Sequence, residues 1–281
     1  RSKIKVITPI AAIPKADYDV TGKIRIIVDF SKSPFNDNVR RMPFILPSFD
    51  DFLNEVSCND WIGLVDFSDG FYQFPVDIRH RDLLGVRLPC GKLGRFTGFP
   101  FGTRCSPWVF CRFVSYFQRQ VEREYCETNV GKCTVIIVND PSDVKYDPTL
   151  PILFKVRRDG SKLATFTIFV DDAAICAPSQ SECERAMGVY LRVAARYGLR
   201  VNHGKTINPT QTSARFQGFI VNTVADSRGI VVTVPPEKLS VGVELVQNML
   251  SVATGGIVVR RDLASLIGKL SHLTTVIKYG R

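Results

Sequence analysis

Apolar positions along this chain fall into short β-type runs separated by turn residues, with four stretches where they recur at helical spacing. Ile4-Lys-Val-Ile and Ile24-Arg-Ile-Ile-Val read as strands among Pro and Asp-Asn turns, an open and basic lobe over residues 1–60. Trp61-Ile-Gly-Leu-Val is a strand that stops at Asp66, followed by a helical turn from Ser68 and a strand region ending in the Gly91 and Gly94 loop. In the Gly98–Pro107 loop, Ser106 is expected to cap a helix that has Pro107 at its first position, and apolar residues at 110, 113, 114, 117 and 121 continue it. The pattern loosens over 126–160, which reads as an inserted hairpin.

Thr165 to Ala177 is an apolar hairpin with Asp171-Asp172 at its tip. A capping box at Ser179–Glu182 then opens a helix with Cys183, Ala186, Met187, Tyr190, Val193, Ala194 and Tyr197 on one face, and Gly198 is expected just past its end. Strands are expected at Phe216–Val221 and Gly229–Val234. Pro235-Pro236 introduces two helical stripes, Leu239, Val243, Val246 and Met249, then Leu263, Leu266, Ile267 and Leu270.

Composition changes this picture in three ways. With 281 residues and 45% hydrophobic content, the chain can bury a core shared by two or three lobes. A formal charge of +10, spread along the sequence, fits a polyanionic partner. Eight cysteines without a Cys-x-x-Cys pair or a nearby His set argue against zinc and for a reduced, intracellular protein. No apolar run approaches the roughly 18–20 residues of a membrane span, so no membrane partner is expected. The chain opens on Arg1, as a fragment or processed domain would.

Adjacent carboxylates at the tip of an apolar strand pair are costly unless a cation sits with them. Asp66 ends another apolar strand, so three acids at two strand ends point to divalent-metal phosphoryl chemistry. Hard oxygen ligands suit Mg2+, with Mn2+ as a substitute. Asp66 and Asp171 rank first as ligands; Asp172 joins them only where a turn relaxes strand alternation. An ordinary Asp-Asp hairpin turn is the competing reading.

Five segments resemble, in order, the successive palm motifs of retroelement reverse transcriptases. They are Leu64-Val-Asp-Phe-Ser-Asp-Gly-Phe-Tyr-Gln-Phe-Pro-Val, Phe99-Pro-Phe-Gly-Thr-Arg-Cys-Ser-Pro, Phe169-Val-Asp-Asp, Tyr197-Gly-Leu-Arg-Val-Asn-His-Gly-Lys-Thr and Phe216-Gln-Gly-Phe. Arg25-Ile-Ile-Val-Asp-Phe-Ser with Phe35-Asn-Asp-Asn, and Leu266-Ile-Gly-Lys-Leu, lean towards gypsy-type and especially DIRS-type elements. The resemblance implies an α+β right-hand polymerase. Its fingers would be 1–60 and 75–97, its antiparallel-sheet palm 61–74 and 98–234 with an insertion at 126–160, and its partial helical thumb 235–281. That insertion separates Pro107 from Phe169 by far more chain than the family usually uses.

Residue by residue, the resemblance makes Asp66, Asp171 and Asp172 the catalytic acids and two-metal ligands, with the Phe67 carbonyl as a further ligand. Phe71 falls where an aromatic ring bars a ribose 2′-hydroxyl, a core Phe being the plainer alternative. Arg25 and Lys15, with Lys23 in reserve, match the fingers cations along an incoming triphosphate. Gly102 would let backbone approach the nascent base pair, Lys205 would protonate departing pyrophosphate, and Phe216, Gln217 and Gly218 would form the primer-grip hairpin, the alternatives being a plain turn glycine, an exposed loop lysine and an ordinary tight β-turn.

The implied function is RNA- and DNA-templated DNA synthesis from deoxynucleoside triphosphates on a template-primer, either an RNA/DNA hybrid or a DNA duplex. Ribonuclease H and other activities would lie outside this chain. Two other readings stand beside it: a catalytically silent nucleic-acid-binding or scaffold module, and an RNA-dependent RNA polymerase, against which Phe71 speaks.

Overall fold

The computed structural model describes residues 4–14, 18–128, 133–139, 144–145, 153–158, 161–224, 229–253 and 258–276. From the N-terminus, β1 (Ile7–Thr8), β2 (Ile10–Pro14), α1 (Tyr18–Thr21), β3 (Ile24–Val28), α2 (Phe35–Asn38) and α3 (Phe49–Glu55) lead to β4 (Trp61–Asp66). β5 (Gly85–Arg87), β6 (Leu93–Arg95) and the long helix α4 (Ser106–Glu127) follow. Next come β7 (Cys133–Val138), β8 (Leu153–Arg158), β9 (Ser161–Phe169), β10 (Asp172–Ala177) and α5 (Gln180–Arg196). β11 (Ile207–Thr210), β12 (Ala214–Phe216), β13 (Phe219–Asn222) and β14 (Val231–Thr233) precede α6 (Pro236–Ala253) and α7 (Arg260–Leu273).

A six-stranded antiparallel sheet, ordered β11-β4-β10-β9-β8-β7, organises the molecule. Its central strands are apolar on both faces because both are covered. Val65, Ala173, Ile175, Phe166 and Ile168 pack with Phe117, Val121, Val193 and Tyr190 of α4 and α5. Ile62, Leu64, Ala174 and Cys176 face Phe49 and Phe52 of α3 and Phe216 and Phe219 of the β12–β13 hairpin. Each fully buried Val, Leu, Ile or Phe among them contributes about 1.5–3 kcal/mol. Gly63 lets α5 approach closely, since a Cβ there would stand 2.1 Å from Met187 Sδ and force that side chain to move.

Helix α5 begins as expected: Ser179 Oγ accepts from the Glu182 N–H at 3.3 Å. Glu182 turns its carboxylate to the Tyr125 hydroxyl and Arg185. Gly198 (φ +70°) closes the helix in a Schellman arrangement, Leu199 N–H donating to Ala194 O and Gly198 N–H to Ala195 O. Helix α4 starts differently from the sequence expectation. Ser106 lies inside the first turn, where its N–H donates to Thr103 Oγ1 (3.2 Å) and its hydroxyl donates to Pro100 O (3.0 Å). The competing acceptors in the preceding loop draw Ser106 inward, and Cys105 takes the N-cap position without a side-chain bond.

The expected strand over Phe216–Val221 is two strands. Gln217 (φ 46°) and Gly218 (φ 84°) form the two-residue turn between β12 and β13, left-handed at both central positions as a type I′ hairpin requires. Within the 126–160 stretch, α4 runs on to Glu127, and β7 and β8 pair with each other and extend the sheet beyond β9. Residues 129–132, 140–143, 146–152 and 159–160 lie outside the described residues. Helices α6 and α7 pack on each other, with Leu266 and Leu273 buried, while Leu239, Val243, Leu263 and Ile267 stay exposed because little else covers these helices among the described residues. No helix among the described residues is long and apolar enough to cross a membrane.

Candidate active site

Antiparallel pairing of β4 with β10 sets Asp66 directly opposite Asp172. Pairing of β10 with β9 sets Phe169 opposite Asp172, which leaves Val170-Asp171 as the connecting turn. Val170 takes φ 56°, a conformation that costs a β-branched residue about 1–3 kcal/mol. That turn places Asp171 beside the end of β4, where its carbonyl accepts from the Phe67 N–H at 2.9 Å. Its carboxylate lies against Gly70, whose absent Cβ would sit 3.3 Å from Asp171 Oδ2.

The segment after α5 closes the other side. Ser68 N–H donates to Arg200 O and Asn202 N–H to Asp66 O, a short antiparallel bridge of Phe67 with Val201. Gln73 fastens it: its amide donates to Ser68 O (2.6 Å) and Arg200 O (3.1 Å) and accepts from Arg200 N–H (2.6 Å). Lys205 is thereby delivered to Asp66, Nζ to Oδ1 at 3.0 Å. Asp66, the adjacent pair Asp171-Asp172 and Lys205, from three separate stretches of sequence, are thereby brought together.

Their electrostatics follow from that crowding. Burial raises the Asp171 carboxyl above the ordinary range, and the Asp66 charge adds to this. Burial, a hydrogen bond with Asp66 and the charges of Asp171 and Asp66 push Asp172 up to about 7. The hydrogen bond to Asp66 raises the Lys205 ammonium. Among the described residues, no three His, Cys, Asp or Glu side chains are already grouped as metal ligands. Asp66 is instead engaged by Lys205 and Asp172. The carboxylate oxygens gathered here, with the Lys205 ammonium drawn to Asp66, are nonetheless a hard donor set suited to a divalent cation.

Phe71 is buried, 8% exposed, between Phe101 (ring centroids 4.8 Å apart) and Phe110 (5.0 Å). Gly102 has φ +91°, and a Cβ there would stand 3.1 Å from Val28 O, so this loop rests directly on β3. Asn36 clasps it, Nδ2 donating to Gly102 O (3.0 Å) and Oδ1 accepting from Arg104 N–H (2.9 Å). Arg25 is exposed on β3. Lys15 lies outside the described residues, and Lys23 is exposed. Phe216 and Phe219 anchor the Gln217-Gly218 turn in the core. His272 of α7 stacks on Phe219 at 4.8 Å.

Sequence reasoning missed Gln73, Asn36 and Phe101. All three stand inside quoted motifs, but their partners lie far along the chain, 127 residues away for Gln73 with Arg200 and 66 for Asn36 with Gly102, and across a separate loop for Phe101 with Phe71.

A family model described as reverse transcriptase (RNA-dependent DNA polymerase) matches residues 13–221. The chain is 27% identical, over 110 residues, to a retrovirus-related Pol polyprotein from transposon 412 of Drosophila melanogaster, covering 38% of this chain and 9% of that protein. It is similar to the foamy viral protease-reverse transcriptase dRH in complex with double-stranded DNA, at 18% identity and a TM-score of 0.62, covering 94% of this chain and 35% of that one. The foamy viral protease-reverse transcriptase in complex with RNA/DNA hybrid gives 16% identity and a TM-score of 0.59, covering 94% and 27%. The shared fold is the α+β right-hand polymerase, and this chain spans well under half the length of these relatives.

Proposed function

Because the chain belongs to the reverse transcriptase (RNA-dependent DNA polymerase) family, we propose that it copies RNA and DNA templates by adding deoxynucleotides to a primer 3′ end. The observation that carries this reading is the pairing of Asp66 opposite Asp172, with Asp171 at the adjoining turn and Lys205 on Asp66. Fingers at 1–60 and 75–97, palm at 61–74 and 98–234 and thumb at 235–281 are the division that goes with it. Structural neighbours that hold double-stranded DNA or RNA/DNA hybrid support template-primer as the partner, and the charge of +10 suits phosphate contacts that are indifferent to sequence. Such a protein would work inside the cell.

In this reading Asp66, Asp171, Asp172 and the Phe67 carbonyl would hold two Mg2+ ions, which would supply charge neutralisation at the reacting phosphate and acidify the primer hydroxyl. The strained Val170 turn and the Phe67–Asp171 backbone bond fix the carboxylates before substrate arrives, so little reorganisation is left for the reaction. Gly102 admits backbone close to the nascent base pair, and Arg25 with Lys15 screens the triphosphate. The hairpin at Phe216-Gln217-Gly218 sets the primer terminus. Lys205, which donates from Nζ to Asp66, would give a proton to departing pyrophosphate.

Extension of a labelled primer on RNA and on DNA templates, with and without Mg2+, tests this directly. Metal-dependent extension on both templates is expected. Tight template-primer binding without extension under any condition would instead support the silent binding module.

A further inference from the structure

Helix α4 carries Arg112, Tyr116, Arg119 and Arg123 at spacings of four, three and four, which puts all of them on one stripe of its surface. Every one of them is exposed, Tyr116 at 52%. The other side of the helix, with Phe110, Val114, Phe117 and Val121, is the side buried in the core. A second ring joins the stripe just past the end of α5. Tyr197, 38% exposed, meets Tyr116 edge to face at 6.1 Å, and its hydroxyl hydrogen-bonds that of Tyr116. Phe113 and Phe117 back Tyr197, each at 6.3 Å, so both tyrosine rings are held in position although they face water.

The charge around the rings is positive. Glu127 is held by Arg123, and Glu124 by both Arg192 and Arg196, while the Arg112 guanidinium lies over the Trp108 ring at 5.7 Å. One exposed tyrosine needs no explanation; two ordered rings set among arginines form a surface fit for bases and phosphates together. The polymerase reading uses none of it. Asp66 and Asp172 fall in the alternation of Ile62, Leu64, Ala174 and Cys176, on the other side of the sheet from α4 and α5.

We propose that the outer stripe of α4, with Tyr197, is a second nucleic-acid site that holds a single strand, its bases against the two tyrosines and its phosphates along the arginines. The inference goes beyond the polymerase reading and does not depend on it. Stacking accepts any base, so the site tolerates any sequence, whereas a duplex keeps its base faces covered. From Arg112 to Arg123 the stripe runs about 16 Å at about 1.5 Å per residue, room for about five nucleotides at about 3.4 Å each. An acidic peptide would answer the charge and leave the rings idle.

The test is fluorescence anisotropy of short labelled oligo-dT and oligo-U strands, each added to the whole chain already holding one equivalent of an unlabelled blunt-ended duplex. Both strands should bind without displacing the duplex. Tyr116→Ala should weaken them by about tenfold, and Tyr116→Phe far less. Arg112→Gln should lower the slope of log affinity against log salt by about 0.7, the share of one single-strand phosphate. Displacement of the labelled strand by the duplex overturns the separate site, and so does an equal loss of duplex binding in Tyr116→Ala. Unchanged affinity in Tyr116→Ala with weakened binding in Arg112→Gln marks a surface that answers charge alone, as it would for an acidic peptide, and overturns the single-strand assignment. Each of these outcomes leaves primer extension, and the reading built on it, to be judged separately.

Discussion

Asp172→Asn isolates the electrostatic cost of bringing the carboxylates together. Asp172 is held at about 7 instead of the ordinary 3.8, by burial first and then by Asp66 and Asp171. That difference disfavours the charged form by about 4 kcal/mol at 1.36 kcal/mol per pKa unit. Asp172 stands at the open end of β10, and solvent screening brings the effective cost to about 1–2 kcal/mol. The folded-state value lies above the unfolded one, so the cost is absent below pH 4, accumulates as pH rises through 7 and is complete above it.

In EDTA, urea unfolding should therefore show Asp172→Asn more stable than wild type by about 1–2 kcal/mol at pH 8 and equal to it at pH 4. Mg2+ should reverse the order. A cation that binds the folded wild type at a hundredfold excess over its dissociation constant adds about 2.7 kcal/mol, and the variant should lose most of that gain. A variant with the same stability as wild type at both pH values, and the same response to Mg2+, would refute the reasoning.

Two further perturbations probe the surroundings. Glu122 is fully buried, with one oxygen accepting from Gln118 Nε2 at 3.0 Å, the other without a partner among the described residues, and burial raising its carboxyl well above 4.5. Glu122→Gln should leave stability unchanged at pH 4 and raise it increasingly as pH climbs above 4.5, read by urea midpoints; a gain independent of pH would contradict a protonated buried glutamate. Gly102→Ala forces a Cβ to 3.1 Å from Val28 O at φ +91° and should cost about 1–3 kcal/mol. A urea midpoint within error of wild type would show that the loop does not need glycine.

What could be read from the sequence was largely local. The strand ending at Asp66, the Asp171-Asp172 tip, the Ser179 cap and Gly198 all depend on residues within a few positions of one another, and the structure has them where the pattern put them. Ser106 was misread as a cap because its alternatives, Thr103 Oγ1 and Pro100 O, exist only once the preceding loop folds back. The hairpin at Phe216-Gln217-Gly218-Phe219 was expected from the resemblance and is present, but the apolar pattern alone ran on as one strand because Gln217, unlike Asn or Gly, is a weak turn signal. Lys205 on Asp66 spans 139 residues, and the burial of Phe71 depends on Phe101 and Phe110 arriving from elsewhere. No local pattern encodes either. The continuation of the sheet by β7 and β8 was likewise beyond a spacing argument, which registered an insertion but not the edge it joins.

The most direct measurement is single-turnover primer extension by wild type and Asp171→Asn, each saturated with the same template-primer and its affinity determined by filter binding. Asp171→Asn should bind template-primer within a few-fold of wild type and extend it at least about a thousandfold more slowly, as expected when a group at the reacting centre is removed. Extension by Asp171→Asn at the wild-type rate would show that this turn is not where nucleotides are joined.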